Sequence, residues 1–229
     1  MIAALWAHLH AVGAHLRKDL RIEWRAKDAM QSMLFYALLV VVLFSLAFDP
    51  TQETSRQYAG GVLCVAVLFA AVQALNQAWS RELRGNVLDA QRMSAAPASA
   101  LYLAKVLANF IFVLIVEAVL TPVFVIFYNL HPLGDGWLFL AILPLGSWAL
   151  VANGVFFAAL SLRARSRELL LPLLLFPIFV PALLAMVQAA SNVLTGESDP
   201  GLWVKMLVGY DVIFTVLSVL LFETVLHAE

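Results

Sequence analysis

The chain has 229 residues, of which 63% are hydrophobic and only 13% charged, with a formal net charge of −1. A soluble domain carries about 25% charged residues, so the composition argues against a soluble domain and for lipid, and the bulk charge gives no reason to expect a nucleic-acid partner. The single cysteine, Cys64, lies inside an apolar run; one thiol makes neither an intramolecular disulfide nor a zinc cluster, and it reads as a small packed residue.

Residues 1–29 are too densely charged to span a bilayer, with Arg17, Lys18, Arg21, Arg25 and Lys27 among them. Ile2, Leu5, Leu9, Val12, Leu16 and Leu20 recur at spacings of three and four, which is one apolar stripe on a helix. Arg17, Arg21 and Arg25 sit four apart on another face. The pattern predicts an N-terminal interfacial amphipathic helix, its cations toward anionic lipid and Trp6 and Trp24 at headgroup depth. A helix packed on a protein partner has the same amphipathicity.

Six apolar runs follow, each near the 20 or so helical residues that cross a hydrocarbon core. They are Met30–Phe48, Ala59–Trp79, Val106–Asn129, Trp137–Leu162, Leu169–Thr195 and Leu202–Leu226. Residues 30–229 therefore read as one six-span membrane domain, and the first run lies too far from the N-terminus for a signal peptide. Of the fourteen Lys and Arg residues, all but Arg56 and Lys205 fall in the N-terminal segment, in Ser80–Lys105 or in the loop carrying Arg163, Arg165 and Arg167. Basic residues stay in the cytoplasm, so both termini and these segments are expected there.

Gln73, Asn76 and Gln77 ease the second span into the headgroups. The next segment, SRELRGNVLDAQRMSAAPASALYLAK, is a charged island. Leu83, Val87 and Ala90 form a narrow apolar edge with Leu88 beside it, surrounded by Arg81, Glu82, Arg84, Asp89 and Arg92. Gly85 interrupts the edge and Pro97 ends it. A short amphipathic docking helix fits this pattern; so does a solvated loop.

Within the spans, Glu117 sits in LIVEAVL and Asp211 in GYDVIF. A central acid costs roughly 2.5–3.5 kcal/mol on insertion scales and normally faces the bundle or water. No Lys or Arg lies at equal depth, so Asn153, Gln188, Asn109 and Tyr210 are the candidate hydrogen-bond donors. The acids read either as a polar lining or partner contact, or as helix clamps. Pro172, Pro177 and Pro181 all fall in the fifth span, and each removes a backbone donor, which predicts a kinked or partly unwound helix serving as a hinge or as a static bend.

No catalytic residue and no metal site is predicted. The sequence contains no G-x-x-x-x-G-K-[ST], no H-E-x-x-H and no C-x-x-C-H. Ser147 follows Gly146, but no histidine lies in any of the six runs to activate it. His131, in NLHPLGDGW, has the chemistry of an iron-porphyrin ligand, though a lone loop histidine is ordinarily solvated.

The island resembles the segment between the second and third spans of type-2 ABC exporter permeases, with an acidic residue, a glycine, an L-x-x-L-x-x-x-P pattern and a lysine opening the third span. Within that superfamily the chain is most similar to the CcmB family. SRELLLPLLLFPIFVPALLAMVQAA (Ser166–Ala190), with its prolines and Gln188, resembles the family's fifth span, and LVGYDVIFTVLSVLLFETVL (Leu207–Leu226) its last. The likeness covers nearly the whole chain after residue 17. Asn86, Ala90, Gln91 and Ala95 depart from the usual pattern of the docking segment, and Pro97 follows two residues after the usual proline.

The resemblance implies an all-α integral membrane protein with six transmembrane helices, an N-terminal interfacial helix and a short cytoplasmic coupling helix between spans 2 and 3. Glu82, Leu83, Arg84, Gly85, Val87, Leu88 and Arg92 would couple it to a separate CcmA-type cytoplasmic ATPase, which holds the ATP. CcmC, CcmD and the heme chaperone CcmE would complete the assembly in the bacterial cytoplasmic (inner) membrane. Its task would be heme export or release of heme-loaded chaperone in cytochrome c maturation, with heme as a substrate of the complex rather than a resident cofactor. The alternative is a type-2 permease exporting another lipid, glycan or small molecule. A scaffold lacking any ATPase and an intramembrane enzyme remain as other classes, the second opposed by the missing histidine.

Overall fold

The computed structural model describes residues 2–48, 53–80, 82, 97–128, 136–163 and 167–227. These residues form seven α-helices: α1 (Ile2–Ala26), α2 (Asp28–Ala47), α3 (Glu53–Ala78), α4 (Ala98–Phe127), α5 (Gly136–Leu160), α6 (Arg167–Thr195) and α7 (Gly201–His227). A 3-10 turn, Ser161–Arg163, follows α5. Helices α2 to α7 are each long and apolar enough to cross a membrane, because a helix satisfies all its backbone hydrogen bonds internally. The chain is a multi-pass membrane protein of all-α class.

The third span begins earlier than the hydropathy suggests. Helix α4 starts at Ala98 rather than Val106, so the last residues of the island are helical and Lys105 lies inside the helix. The reason is packing: Ala100, Ala104 and Val12 form a small buried cluster supported by Leu16, Leu103 and Leu107. These alanines are poor hydropathy markers but good contact residues. The expected apolar stripe of α1 is thus used against α4 of the same chain over Val12 and Leu16, while Trp6 and Leu9 stay exposed.

Helices α3 and α5 form the centre, with 61% and 67% of their apolar windows buried against 22% for α7. They contact one another, and both contact α4 and α6; α2 covers α3, and α7 covers α5. Small residues permit this closeness, as lipid-embedded packing requires. A Cβ on Gly154 of α5 would collide with the Leu75 side chain of α3, and one on Gly60 of α3 would lie 2.8 Å from the Ser191 backbone nitrogen of α6.

Helix α6 runs without interruption through Pro172, Pro177 and Pro181, so no turn is unwound. Proline at 181 leaves the carbonyl of Pro177 without its helical donor; one residue on, the Ile178 carbonyl accepts a hydrogen bond from the Tyr210 hydroxyl of α7 at 2.7 Å. Helices α1 and α2 are separated by Lys27, held in the left-handed region at φ 59°. That conformation costs a non-glycine residue roughly 1–2 kcal/mol, and the packing of α1 on α4 and of α2 on α3 overdetermines it.

Gly60→Val should force α3 from the backbone of α6 and lower stability by about 1–3 kcal/mol, the usual cost of overpacking. Gly209→Ala, where a Cβ meets nothing within 4 Å, should be neutral or stabilising by about 1 kcal/mol from helix propensity. Thermal melting of the detergent-solubilised protein distinguishes them; equal melting temperatures would refute the close contact.

Candidate functional site

The described ends of the island meet. Glu82 and Lys105 are 23 positions apart, yet Nζ of Lys105 donates to Oε1 of Glu82 at 2.5 Å. Helix α1 completes the cluster. Asp19 Oδ2 lies 3.0 Å from Lys105 Nζ, and Lys18 Nζ lies 3.0 Å from Asp19 Oδ1 and 3.4 Å from Glu82 Oε1. Two cations and two anions alternate, so the charges cancel within the protein. Glu82, Lys105 and Asp19 are buried at 5%, 5% and 9% exposure, where isolated charges would be prohibitive.

An aromatic floor lies beneath. Lys105 Nζ stands 5.4 Å from the centroid of Trp79, close enough for a cation–π attraction. Trp79 stacks on Phe222 of α7, and Tyr102 tilts against the same ring. Trp79 Nε1 donates to the Val155 carbonyl at 3.1 Å, and the Tyr102 hydroxyl to the Ala152 carbonyl at 2.9 Å. The last turn before the island and the helical end of the island are therefore both fastened to α5, one turn of that helix apart.

Beside the ion pairs is a cavity of about 50 Å³ in which the polar groups of Asp19, Glu23, Gln77, Glu82, Lys105 and Asn109 meet a larger apolar lining that includes Met33 and Phe112. Glu82 Oε2 is buried with no hydrogen bond among the described residues; Glu82 is one of the residues lining this space, which has room for water. Burial lowers the basicity of Lys18, but the Asp19 and Glu82 carboxylates outweigh it and hold its pKa above 10.5. His15, one turn earlier, is held below 6.5 by burial and by Lys18, with Asp19 partly opposing.

Of the residues expected to couple to an ATPase, Glu82 is in this cluster. Leu83, Arg84, Gly85, Val87, Leu88 and Arg92 lie outside the described residues, as does His131. Among the intramembrane polar residues, Glu117 of α4 is buried and accepts a hydrogen bond from the Ser147 hydroxyl of α5. Its donor is thus none of the four candidates named from the sequence. The small hydroxyl side chain of Ser147 in α5 was the available signal; Gly146 beside it packs against the Met186 side chain of α6. Asn153 instead donates to the Tyr210 hydroxyl at 3.3 Å, so α5, α7 and α6 are joined by the chain Asn153–Tyr210–Ile178. Gln188 is half-buried on α6. Asp211, 8% exposed, has neither carboxylate oxygen hydrogen-bonded among the described residues. Asp19 and Lys18 were missed as site residues, because the amphipathic pattern of α1 had assigned its charges to the lipid surface.

Among the described residues no group of three or more His, Cys, Asp or Glu side chains could hold a metal ion, and the arrangement is a junction between helices. It ties α1, the end of α3, the start of α4 and, through Trp79 and Tyr102, α5.

Comparison with known proteins locates this junction in a family context. The CcmB protein family matches residues 10–228. The chain is 31% identical over 171 residues to heme exporter protein B of Rhodobacter capsulatus, covering 75% of this chain and 78% of that protein. It is 30% identical over 187 residues to heme exporter protein B of Paracoccus denitrificans, covering 82% and 85%. Against heme exporter protein B of Pseudomonas aeruginosa it is 28% identical over 194 residues, covering 84% and 86%.

Lys105→Met leaves two buried carboxylates to share the single cation of Lys18, one positive charge too few, and should cost about 3–5 kcal/mol. Adding Asp19→Asn and Glu82→Gln should recover most of that loss. Melting temperatures of the solubilised variants report both effects; a single Lys105→Met variant as stable as wild type would show that the cluster holds nothing together.

Proposed function

The chain belongs to the CcmB family, and we propose on that footing that it is the membrane permease subunit of a heme-exporter ABC transporter acting in cytochrome c maturation. The match over residues 10–228 carries the reading, and the relatives named heme exporter protein B support it over most of their length. ATP is bound and hydrolysed by a separate CcmA-type ATPase, in keeping with the missing phosphate-binding motif. CcmC, CcmD and the chaperone CcmE are the remaining partners, and heme is a substrate of the assembly.

In this reading the bundle lies in the bacterial inner membrane with both termini, α1 and the island in the cytoplasm. The distribution of basic residues supports the orientation. The ATPase grips the island through Leu83 and Val87, with charged residues such as Arg84 at the rim. Movement of the island then reaches α4 through Glu82–Lys105, α1 through Asp19 and Lys18, and α5 through the hydrogen bonds of Trp79 and Tyr102.

Reporter fusions at Glu229 and within the His131 loop should give opposite signals; equal signals would refute the six-span orientation. Leu83→Asp or Val87→Asp would place an unpaired charge in the ATPase contact, where buried anchors dominate the energy. Either should abolish co-purification of the ATPase at unchanged expression and melting temperature, and cytochrome c maturation should fall with it. Arg84→Ala should do less. Full ATPase retention by both aspartate variants would overturn this role for the island.

A further inference from the structure

We propose that the groove between α1 and α4 is a binding site for one anionic phospholipid of the leaflet on which α1 lies. The groove has a volume of about 620 Å³, within the roughly 300–1,000 Å³ typical of ligand pockets and suited to an acyl chain. Its floor is apolar: Leu16 and Leu20 of α1 face Ile111, Phe112 and Ile115 of α4. Those α4 residues lie six to ten positions beyond Lys105, about 9–15 Å further into the span, so the floor descends from the charged level toward hydrocarbon.

The rim is cationic. Arg17, Arg21 and Arg25 border the groove together with Trp24, and among the described residues no acidic one lines it. All three arginines are exposed, and among the described residues none has an ion-pair partner. The cause is a sorting of charge around α1. Asp19 and Glu23 face the buried cavity beside Lys105, and Lys18 turns that way to meet Asp19 and Glu82. The basic residues on the outer side are left uncompensated above an apolar slot. A phosphodiester matches the guanidinium fork through paired hydrogen bonds, an acyl chain matches the slot, and an exposed tryptophan suits the boundary between them. A zwitterionic lipid would fill the slot equally well but bring no net charge to the rim.

This goes beyond a helix resting on a charged surface, because it requires one lipid seated at one place. It is also independent of the heme-exporter reading, which can fail while the site stands. The purified full chain, released from detergent and observed by native mass spectrometry, is offered phosphatidylglycerol and phosphatidylcholine. The wild type should retain a single phosphatidylglycerol in preference to phosphatidylcholine. Arg21→Gln/Arg25→Gln should weaken retention about fivefold per guanidinium removed. Gly13→Trp keeps every arginine and fills the slot; a Cβ at Gly13 meets nothing within 4 Å, so the variant should fold and melt as wild type. It should nonetheless lose the lipid. Equal retention of the two lipids by wild type would overturn the proposal. So would undiminished phosphatidylglycerol on Gly13→Trp, which would show diffuse surface attraction, or a photo-crosslinker at position 13 that captures a polypeptide instead of lipid in native membranes.

Discussion

The contact of Lys105 with Glu82 sets the arrangement of one whole end of the bundle. An ammonium and a carboxylate at about 5% exposure each cannot persist singly beside lipid, so wherever one goes the other follows. Their union at 2.5 Å closes the long excursion between α3 and α4 on itself. The same constraint recruits α1: Glu82 is shared between Lys105 and Lys18, and Lys105 between Glu82 and Asp19. Removing charge from any corner leaves an uncompensated neighbour, which gives a neutral cluster its stiffness. In the proposed function that stiffness is useful, because an ATPase pushing on the island would otherwise only deform a loop.

The interior of the bundle follows a different rule. With no hydrophobic drive separating helices from lipid tails, close packing and hydrogen bonds do the holding. Small residues let α3 and α5 approach, and polar side chains then meet across the contacts: Glu117 with Ser147, Trp148 with Thr215, and Asn153 with Tyr210. Tyr210 also hydrogen-bonds the Ile178 carbonyl of α6, between Pro177 and Pro181, in a helix that stays continuous through three prolines. Asp211, the next residue, takes no part in this network among the described residues, and its burial rests on neighbouring helices rather than on a partner.

Helix α1 joins the two regimes. One side of it packs Val12 on Ala100 and Ala104 and, two turns on, supplies Asp19 to the ion pairs with Lys18 beside it, while another leaves Arg17, Arg21 and Arg25 over an apolar groove. A helix whose inner side is committed to both packing and ion pairs is fixed in rotation, and its turn into α2 passes through a left-handed Lys27.

The number of spans, the all-α class and the separation of α1 from the spans were legible in the sequence, because transfer to lipid depends on each residue's own solvation and is close to additive along a segment. The residues quoted for the CcmB likeness were legible for the same local reason. Helix limits were less so: α4 begins eight residues early at a pair of alanines whose value lies in what they touch. The partners of the charges were not legible at all. Lys105 lies 23 positions from Glu82, and Glu117 lies 30 from Ser147; nothing local distinguishes these partners from other polar residues. Pairing depends on which helix faces meet, so the tertiary structure alone decided that α1, read as a lipid-surface helix, also holds the two ends of the island together.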